Sequence, residues 1–299
     1  MSTPNQPSSE SVTSKASDLS KEPPPPSKYG VIELYNRTPH TEKDRLFCNA
    51  EGQVEFARTC SILERYLPKS GLVLDIGGGP GSYSKWLLRR EYAVKLLDIV
   101  PRHVEEAKKM FAEIGAAAPQ AEAEVGSAVS LPFSDSSADA VLLMGPMYHL
   151  TERDDRQKAL EEAFRVMKPG TRLFVAGITR FASLLDGLDR GFLWDPVFEE
   201  IVRRDLHCGQ HRNPTENPEY FTDAVLLRPN ELADEVRSAG FRDVRVIGVE
   251  GPLLFDRNLS QNWQDEKRRS LLLDLARQVE EEPTLTGMSP HLLVVASKP

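Results

Sequence analysis

Val73-Leu74-Asp75-Ile76-Gly77-Gly78-Gly79-Pro80-Gly81 reads as a buried strand that breaks into a glycine turn and then opens a helix. Apolar residues at 72 to 76 suit a central parallel strand, and consecutive glycines let the chain take positive φ and bring bare backbone N–H groups against a ligand. Pro80 fits a turn or the first position of a helix, where its missing N–H is not needed. The dinucleotide fingerprint would require glycine at position 82, and that residue is Ser82. With Asp75 ahead of the glycines the pattern is closer to D-x-G-x-G-x-G, whose natural extension is an acid ending the next strand. Asp98 closes the apolar run Ala93-Val94-Lys95-Leu96-Leu97, about twenty residues on, where a carboxylate accepts both ribose hydroxyls of a bound nucleoside.

The rest of the chain alternates strand and helix as a parallel, doubly wound α/β sheet requires, with strands near 72–76, 93–98, 121–125, 138–144 and 171–178. Right-handed crossovers put Gly77, Asp98, Ser127 and Met144 at one edge of the sheet, the ligand edge of such folds. At 299 residues, 40% hydrophobic and 27% charged, the chain can bury one large core. Residues 1–28 are rich in Ser, Thr and Pro and poor in large apolar residues, so they read as a disordered arm outside the fold. This arm has neither the apolar stretch of a secretory signal nor the arginines of a presequence, and no stretch is long enough to span a membrane. Cys48, Cys60 and Cys208 form neither a metal pattern nor a disulfide framework, which suits the cytoplasm. A net charge of −8 opposes approach to a phosphate backbone, and Lys267-Arg268-Arg269 reads as a solvated helix face, so no nucleic-acid partner is expected.

Beyond the first two motifs, Leu131-Pro132-Phe133-Ser134-Asp135-Ser136-Ser137-Ala138-Asp139-Ala140-Val141, Met144-Gly145-Pro146-Met147-Tyr148-His149-Leu150 and Ala163-Phe164-Arg165-Val166-Met167-Lys168-Pro169-Gly170 follow in order. In this order the chain, over about Tyr29 to Pro299, resembles the class I S-adenosylmethionine-dependent methyltransferases. The resemblance implies a Rossmann-like, mostly parallel seven-stranded sheet in one domain over 29–299, with the last two strands near 243–249 and 291–297. It implies S-adenosylmethionine as cofactor, held by Asp75, Gly77, Gly78, Gly79, Gly81, Asp98, Ile99, Ser127, Ala128 and Met144. Asp75 would orient the glycine loop and Ile99 would cover one face of the adenine. Many relatives carry Gly-Asp-Ala where this chain has Gly126-Ser127-Ala128, which leaves an uncharged hydrogen-bonding group for the adenine.

Three segments can roof the cofactor edge: 29–66, 180–227, and 251–287, the last read as a helical insertion anchored by Trp263 and Leu271-Leu272-Leu273. The acceptor belongs under that roof, because a sulfonium methyl is already activated and the protein has mainly to align a nucleophile and keep water out. His149 is the candidate base or substrate hydrogen-bonding group, and could equally pack a helix start; Tyr148 beside it could line the pocket. Tyr35, Asn36 and Arg45 lie where relatives close over the cofactor. His207, His211, Arg212 and Asn213 either contact the acceptor or form a solvated loop. No metal is expected, because the histidines lack partners at ligand spacing.

The Asn/Asp-Pro-Pro-Tyr of many amino-methyltransferases is replaced by Gly145-Pro146-Met147-Tyr148, which directs attention to a small organic acceptor methylated at oxygen or nitrogen, in specialised (secondary) metabolism. A peptide or protein side chain, or a noncatalytic cofactor-binding protein, are the other readings. The assembly expected is a monomer or homodimer.

Overall fold

Leu72–Ile76 forms strand β1, with Leu74 and Ile76 buried in one core and Val73 in another. A strand covered on both faces needs apolar residues on both, hence a near-continuous apolar run broken only by Asp75. The structure is a computed structural model that describes residues 27, 30–37, 42–115 and 120–299. Of the arm expected over 1–28, Ser27 is described and the rest lies outside the described residues, as does Tyr29. Ser27 is tied down: its amide donates to the Asp223 carboxylate at 2.6 Å and its hydroxyl accepts from the Asn213 amide at 2.7 Å.

After β1 come β2 (Ala93–Asp98), β3 (Ala121–Val125), β4 (Ala138–Leu143), β5 (Met167–Thr179), β6 (Gln210–His211), β7 (Ala224–Leu227), β8 (Arg242–Gly248) and β9 (His291–Ser297). The first five are parallel in the order β3-β2-β1-β4-β5, β9 lies antiparallel beside β5, and β8 antiparallel beside β9. Helices cover both faces, and the order reverses between β1 and β4, opening a crevice at the strand C-terminal ends.

Among the described residues the sheet has nine strands, which corrects the expected seven. β5 outruns β4, whose pairing ends at Val175, so on that side Ile178 and Thr179 pair with Leu226 and Leu227 of β7. Buried main-chain groups require such partners. β6 then pairs with β7. Both additions come from the 180–227 segment, which also contains the expected helices, Ala182–Asp189 and Pro196–Cys208.

The connection between β8 and β9 is helical, with helices Leu259–Gln264 and Glu266–Val279. Trp263 is buried against Ala50 and Val54 of the long helix Ala50–Tyr66, and Leu272 and Leu273 pack on the same cluster. Leu271 is 57% exposed, a correction with a simple cause: successive helical residues turn by about 100°, so three in a row cannot share one face. No helix among the described residues is long and apolar enough to cross a membrane.

Candidate active site

A cavity of about 190 Å³ opens at the crevice, room for on the order of a dozen waters and therefore for a nucleoside with a short chain. Its lining includes Gly77, Gly78, Gly79, Asp98, Ile99, Ser127, Ala128, Met144, Tyr148 and His149. Asp75 and Gly81 lie behind it. Gly81 caps the helix Ser82–Leu88 at φ +92°, and a Cβ there would meet Met110 Cε at 2.6 Å, so it serves close packing of two helices. From the roof, the lining takes Val31, Tyr35, Glu42, Arg45 and Leu46 of the N-terminal segment and no residue of 180–227, nor of 251–287, whose helices pack outside Ala50–Tyr66.

The glycine loop is built differently from the expected row of bare amides. The amide of Gly77 donates to Leu97 O at 2.6 Å, that of Gly79 to Asp98 Oδ2 at 2.8 Å, and that of Gly81 to Gly78 O at 3.0 Å. Gly77 is required at φ +71° because a Cβ would run into the Pro146 ring, and a Cβ on Gly78 would strike the Asp75 carboxylate at 2.6 Å. A Cβ on Gly79 would project toward Glu42 and His103 at 3.6 and 3.9 Å. The loop therefore seats on Asp75 below and the turn after β4 beside it.

Asp75 is fully buried, accepts from Ser84 Oγ at 2.7 Å, and has Oδ1 without a hydrogen bond. Burial pushes its pKa up to about 6, against the Ser84 hydrogen bond. Because the folded value exceeds the unfolded one, the acid's stabilising contribution is full below about pH 4 and lost as pH rises through about 6. Asp75→Asn removes this titration with little change of shape. It is expected to match wild type in stability near pH 3 and to exceed it at pH 8, by roughly 3 kcal/mol at most. Thermal unfolding at both pH values tests this; an equal gap at both would mean that Asp75 ionises freely in the fold.

Asp98 is 6% exposed. Oδ1 accepts from the Val100 amide at 2.8 Å and Oδ2 from Gly79, which fixes the carboxylate at the cavity wall. His103, from the first turn of the helix Pro101–Ile114, lines the same wall, its Nδ1 3.4 Å from Asp98 Oδ1 and without a hydrogen bond. Neither His103 nor Glu42 stands out in the sequence; His103 lies one helical turn before Ala107 on the buried face, a spacing that could have flagged it.

His149 ends the short helix Pro146–His149 after β4. Tyr35 Oη lies 3.2 Å from its Nε2, and Nδ1 makes no hydrogen bond of standard geometry. Burial pulls its pKa down to about 4, outweighing the Asp223 backbone and the Asp98 charge, so the imidazole is neutral at physiological pH. Burial likewise raises the phenols of Tyr35 and Tyr148, keeping them protonated.

Arg45 donates to both oxygens of Glu55, at 2.6 and 3.0 Å, and to Glu42 at 2.6 Å. Burial alone would raise Glu55, yet the Arg45 charge takes it down to about 2. Glu55, Glu250 and His291 bring ligand-type atoms within 4.8 Å of one another, but Arg45 pairs Glu55 and His291 lies 2.5 Å from Glu250, so the cluster satisfies its own charge.

The His207-to-Asn213 group does not converge on the cavity. His211 is buried between Asp205, 2.7 Å from Nδ1, and Tyr220 O, 2.9 Å from Nε2, while His207 is exposed. The Asn213 side chain donates to Asn217 O at 2.7 Å and Phe221 O at 2.8 Å. These residues shape the loop that brings Phe221 against His149, with ring centroids 5.4 Å apart.

Fold and cavity together define a Rossmann-like enzyme built for a nucleoside cofactor. The family model described as a methyltransferase domain matches residues 73–170. A ubiquinone/menaquinone biosynthesis C-methyltransferase of Roseobacter denitrificans is 35% identical over 191 residues, 62% of this chain and 72% of that protein. An uncharacterized methyltransferase of Mycobacterium tuberculosis is 32% identical over 159 residues, 52% of this chain and 61% of its own. Among solved structures, a SAM-dependent methyltransferase from Thermotoga maritima, described as a possible histamine N-methyltransferase, aligns with TM-score 0.55 at 21% identity, covering 90% of this chain and 99% of that one. Phosphoethanolamine N-methyltransferase 2 of Haemonchus contortus, solved with S-adenosylmethionine, gives 0.54 at 17%, covering 90% and 60%. The chain belongs to the class I S-adenosylmethionine-dependent methyltransferases, and S-adenosylmethionine is its cofactor.

Proposed function

We propose that the chain methylates oxygen or nitrogen of a small organic acceptor, with His149 as the group that receives or orients the acceptor's proton. The observation that carries this reading is a half-buried, neutral imidazole on the cavity wall, at the end of the turn that lies beside the glycine loop. When bound, the cofactor supplies an electrophilic methyl group. Asp98 would hold the ribose hydroxyls, Ile99 and Ala128 would flank the adenine, and Ser127 would bond its edge. With three loop amides already used, the glycine loop would meet the ammonium group of the cofactor's zwitterionic amino-acid end through carbonyl oxygens. Asp75 would act from behind, by seating Gly78.

A roof drawn close by Tyr35, Glu42 and Arg45 favours a small acceptor over a peptide. The three free cysteines suit a reducing cytosol. Carbon methylation is a second reading, favoured by the likeness to the Roseobacter C-methyltransferase; the same imidazole would then take a ring or hydroxyl proton.

Asp98→Ala tests the cofactor half. It removes a charged acceptor and releases the Gly79 amide, so S-adenosylmethionine affinity should fall by about 1–3 kcal/mol in calorimetry. Unchanged affinity would place the nucleoside elsewhere. The acceptor half is tested by incubating the chain with isotopically labelled S-adenosylmethionine and a metabolite extract, and identifying the labelled product by mass spectrometry.

A further inference from the structure

We infer that the acceptor is a flat, uncharged aromatic molecule with its nucleophilic atom on the ring, and that Phe221 is the side chain that selects it. The inference rests on the methyl-transfer reading above. Three rings surround the His149 imidazole: Tyr148 at 4.7 Å, Phe221 at 5.4 Å and Tyr35 at 5.9 Å between centroids. They arrive from three separate parts of the chain, so the enclosure is assembled by the tertiary fold.

Phe221 is the informative member. It sits at φ +61°, ψ −157°, a conformation that an aromatic residue takes only when its surroundings force it. The forcing bonds are its amide to Pro218 O at 3.1 Å and its carbonyl from Asn213 Nδ2 at 2.8 Å, with Asn213 held in turn by Ser27. Core packing does not repay the strain. Phe221 is only half-buried and joins no hydrophobic cluster among the described residues, whereas its neighbour Tyr220 is buried with Phe198, Ile201 and Val202. What the conformation achieves is a ring set against the His149 imidazole, outside the residues that line the cavity, where an acceptor seated on His149 would reach it.

The charges nearby are already engaged. Arg45 is paired with Glu42 and Glu55, and Asp98 with two amides, leaving no unpaired cation among the lining residues for a carboxylate or phosphate acceptor. Burial that keeps His149 unprotonated and two tyrosines un-ionised disfavours acceptor charge of either sign. Aromatic faces gain from offset or edge-to-face contact with another ring. A ring-borne hydroxyl or N–H would form the new O–CH₃ or N–CH₃ bond as the S–CH₃ bond breaks, with that electron pair staying on sulfur and the displaced proton passing to the imidazole or to water.

The test uses the full chain, labelled S-adenosylmethionine, and a matched panel of hydroxylated planar aromatics, N–H heteroaromatics, aliphatic alcohols and alkylamines. Wild type should methylate the uncharged aromatics with the highest kcat/KM. Phe221→Gly relieves the backbone strain, so it should fold at least as stably and bind cofactor within about twofold of wild type, while KM for the aromatic acceptor rises about tenfold. Phe221→Tyr should retain a low KM. Faster turnover of alkylamines or aliphatic alcohols, or an unchanged KM in Phe221→Gly, would overturn the inference and leave methyl transfer standing. Transfer to no acceptor with cofactor binding intact would overturn the underlying reading as well.

Discussion

His149→Ala is expected to slow methyl transfer about 10²- to 10⁴-fold while leaving the S-adenosylmethionine Kd within about twofold, the range lost when a positioned proton acceptor is removed. A base with a pKa near 4 looks too weak for a hydroxyl, but the relevant acidity is that of the transition state. As the oxygen takes a methyl group it acquires positive charge, its proton becomes far more acidic than any imidazolium, and a neutral imidazole can accept it. His149→Gln keeps a group that can bond Tyr35 and should keep the fold while remaining slow. The pH profile has a definite sign. Protonated His149 cannot accept, so its loss shows as pH falls through about 4, and from pH 6 to 9 this residue imposes no inflection.

The size of the drop also separates acceptor atoms. An amine becomes an ammonium ion that a base of this strength cannot deprotonate, so His149 would then only orient an N–H and its loss should cost about tenfold or less. Rapid-quench measurement of the single-turnover rate checks this directly. Wild-type turnover in His149→Ala would make the residue a packing group of the turn after β4.

The meeting of the glycine loop and Asp98 at one cavity was legible because its signals are local. A strand buried on both faces must be apolar, the loop after it must bend, and the acid ending β2 is carried to the same edge by any right-handed parallel crossover. The reasons for the individual glycines were not legible. Gly77 yields to Pro146, 69 positions away in sequence, and Gly78 to the carboxylate of Asp75, so a run suggestive of ligand contact also satisfies packing. β6 and β7 escaped notice because two residues, Gln210 and His211, carry no periodicity, and the four apolar residues of β7 fit strand or helix alike. The pairing of Tyr35 with His149 joins residues 114 apart, and nothing in either local sequence announces the other. His211 and Asn213 looked like acceptor ligands because polar clusters in loops resemble sites. Their hydrogen bonds turn inward and hold the Phe221 loop instead.

Glu235→Ala should cost about 3–5 kcal/mol of stability, because it strands a buried cation. Arg156 is 5% exposed and Glu235 7%, joined by paired bonds of 2.9 and 2.7 Å across a sequence separation of 79. The guanidinium also acts beyond the pair, because its remaining nitrogen donates to Leu150 O and Thr151 O, both at 2.9 Å, and so closes the turn that follows His149. Stability and positioning can be separated with a double variant. Arg156→Met with Glu235→Leu replaces the ion pair by apolar groups of similar volume, a change that is often near neutral, so most of the melting temperature lost in Glu235→Ala should return. The Leu150 and Thr151 carbonyls still lose their donor, leaving the His149 turn without its clamp. The double variant is therefore expected to fold well, to bind S-adenosylmethionine normally, and to turn over about tenfold slower, the order of loss for one positioning hydrogen bond. Recovery of both melting temperature and rate would reduce Arg156 to a purely structural ion-pair member, and a loss below about 1 kcal/mol in Glu235→Ala would mean that water reaches the pair.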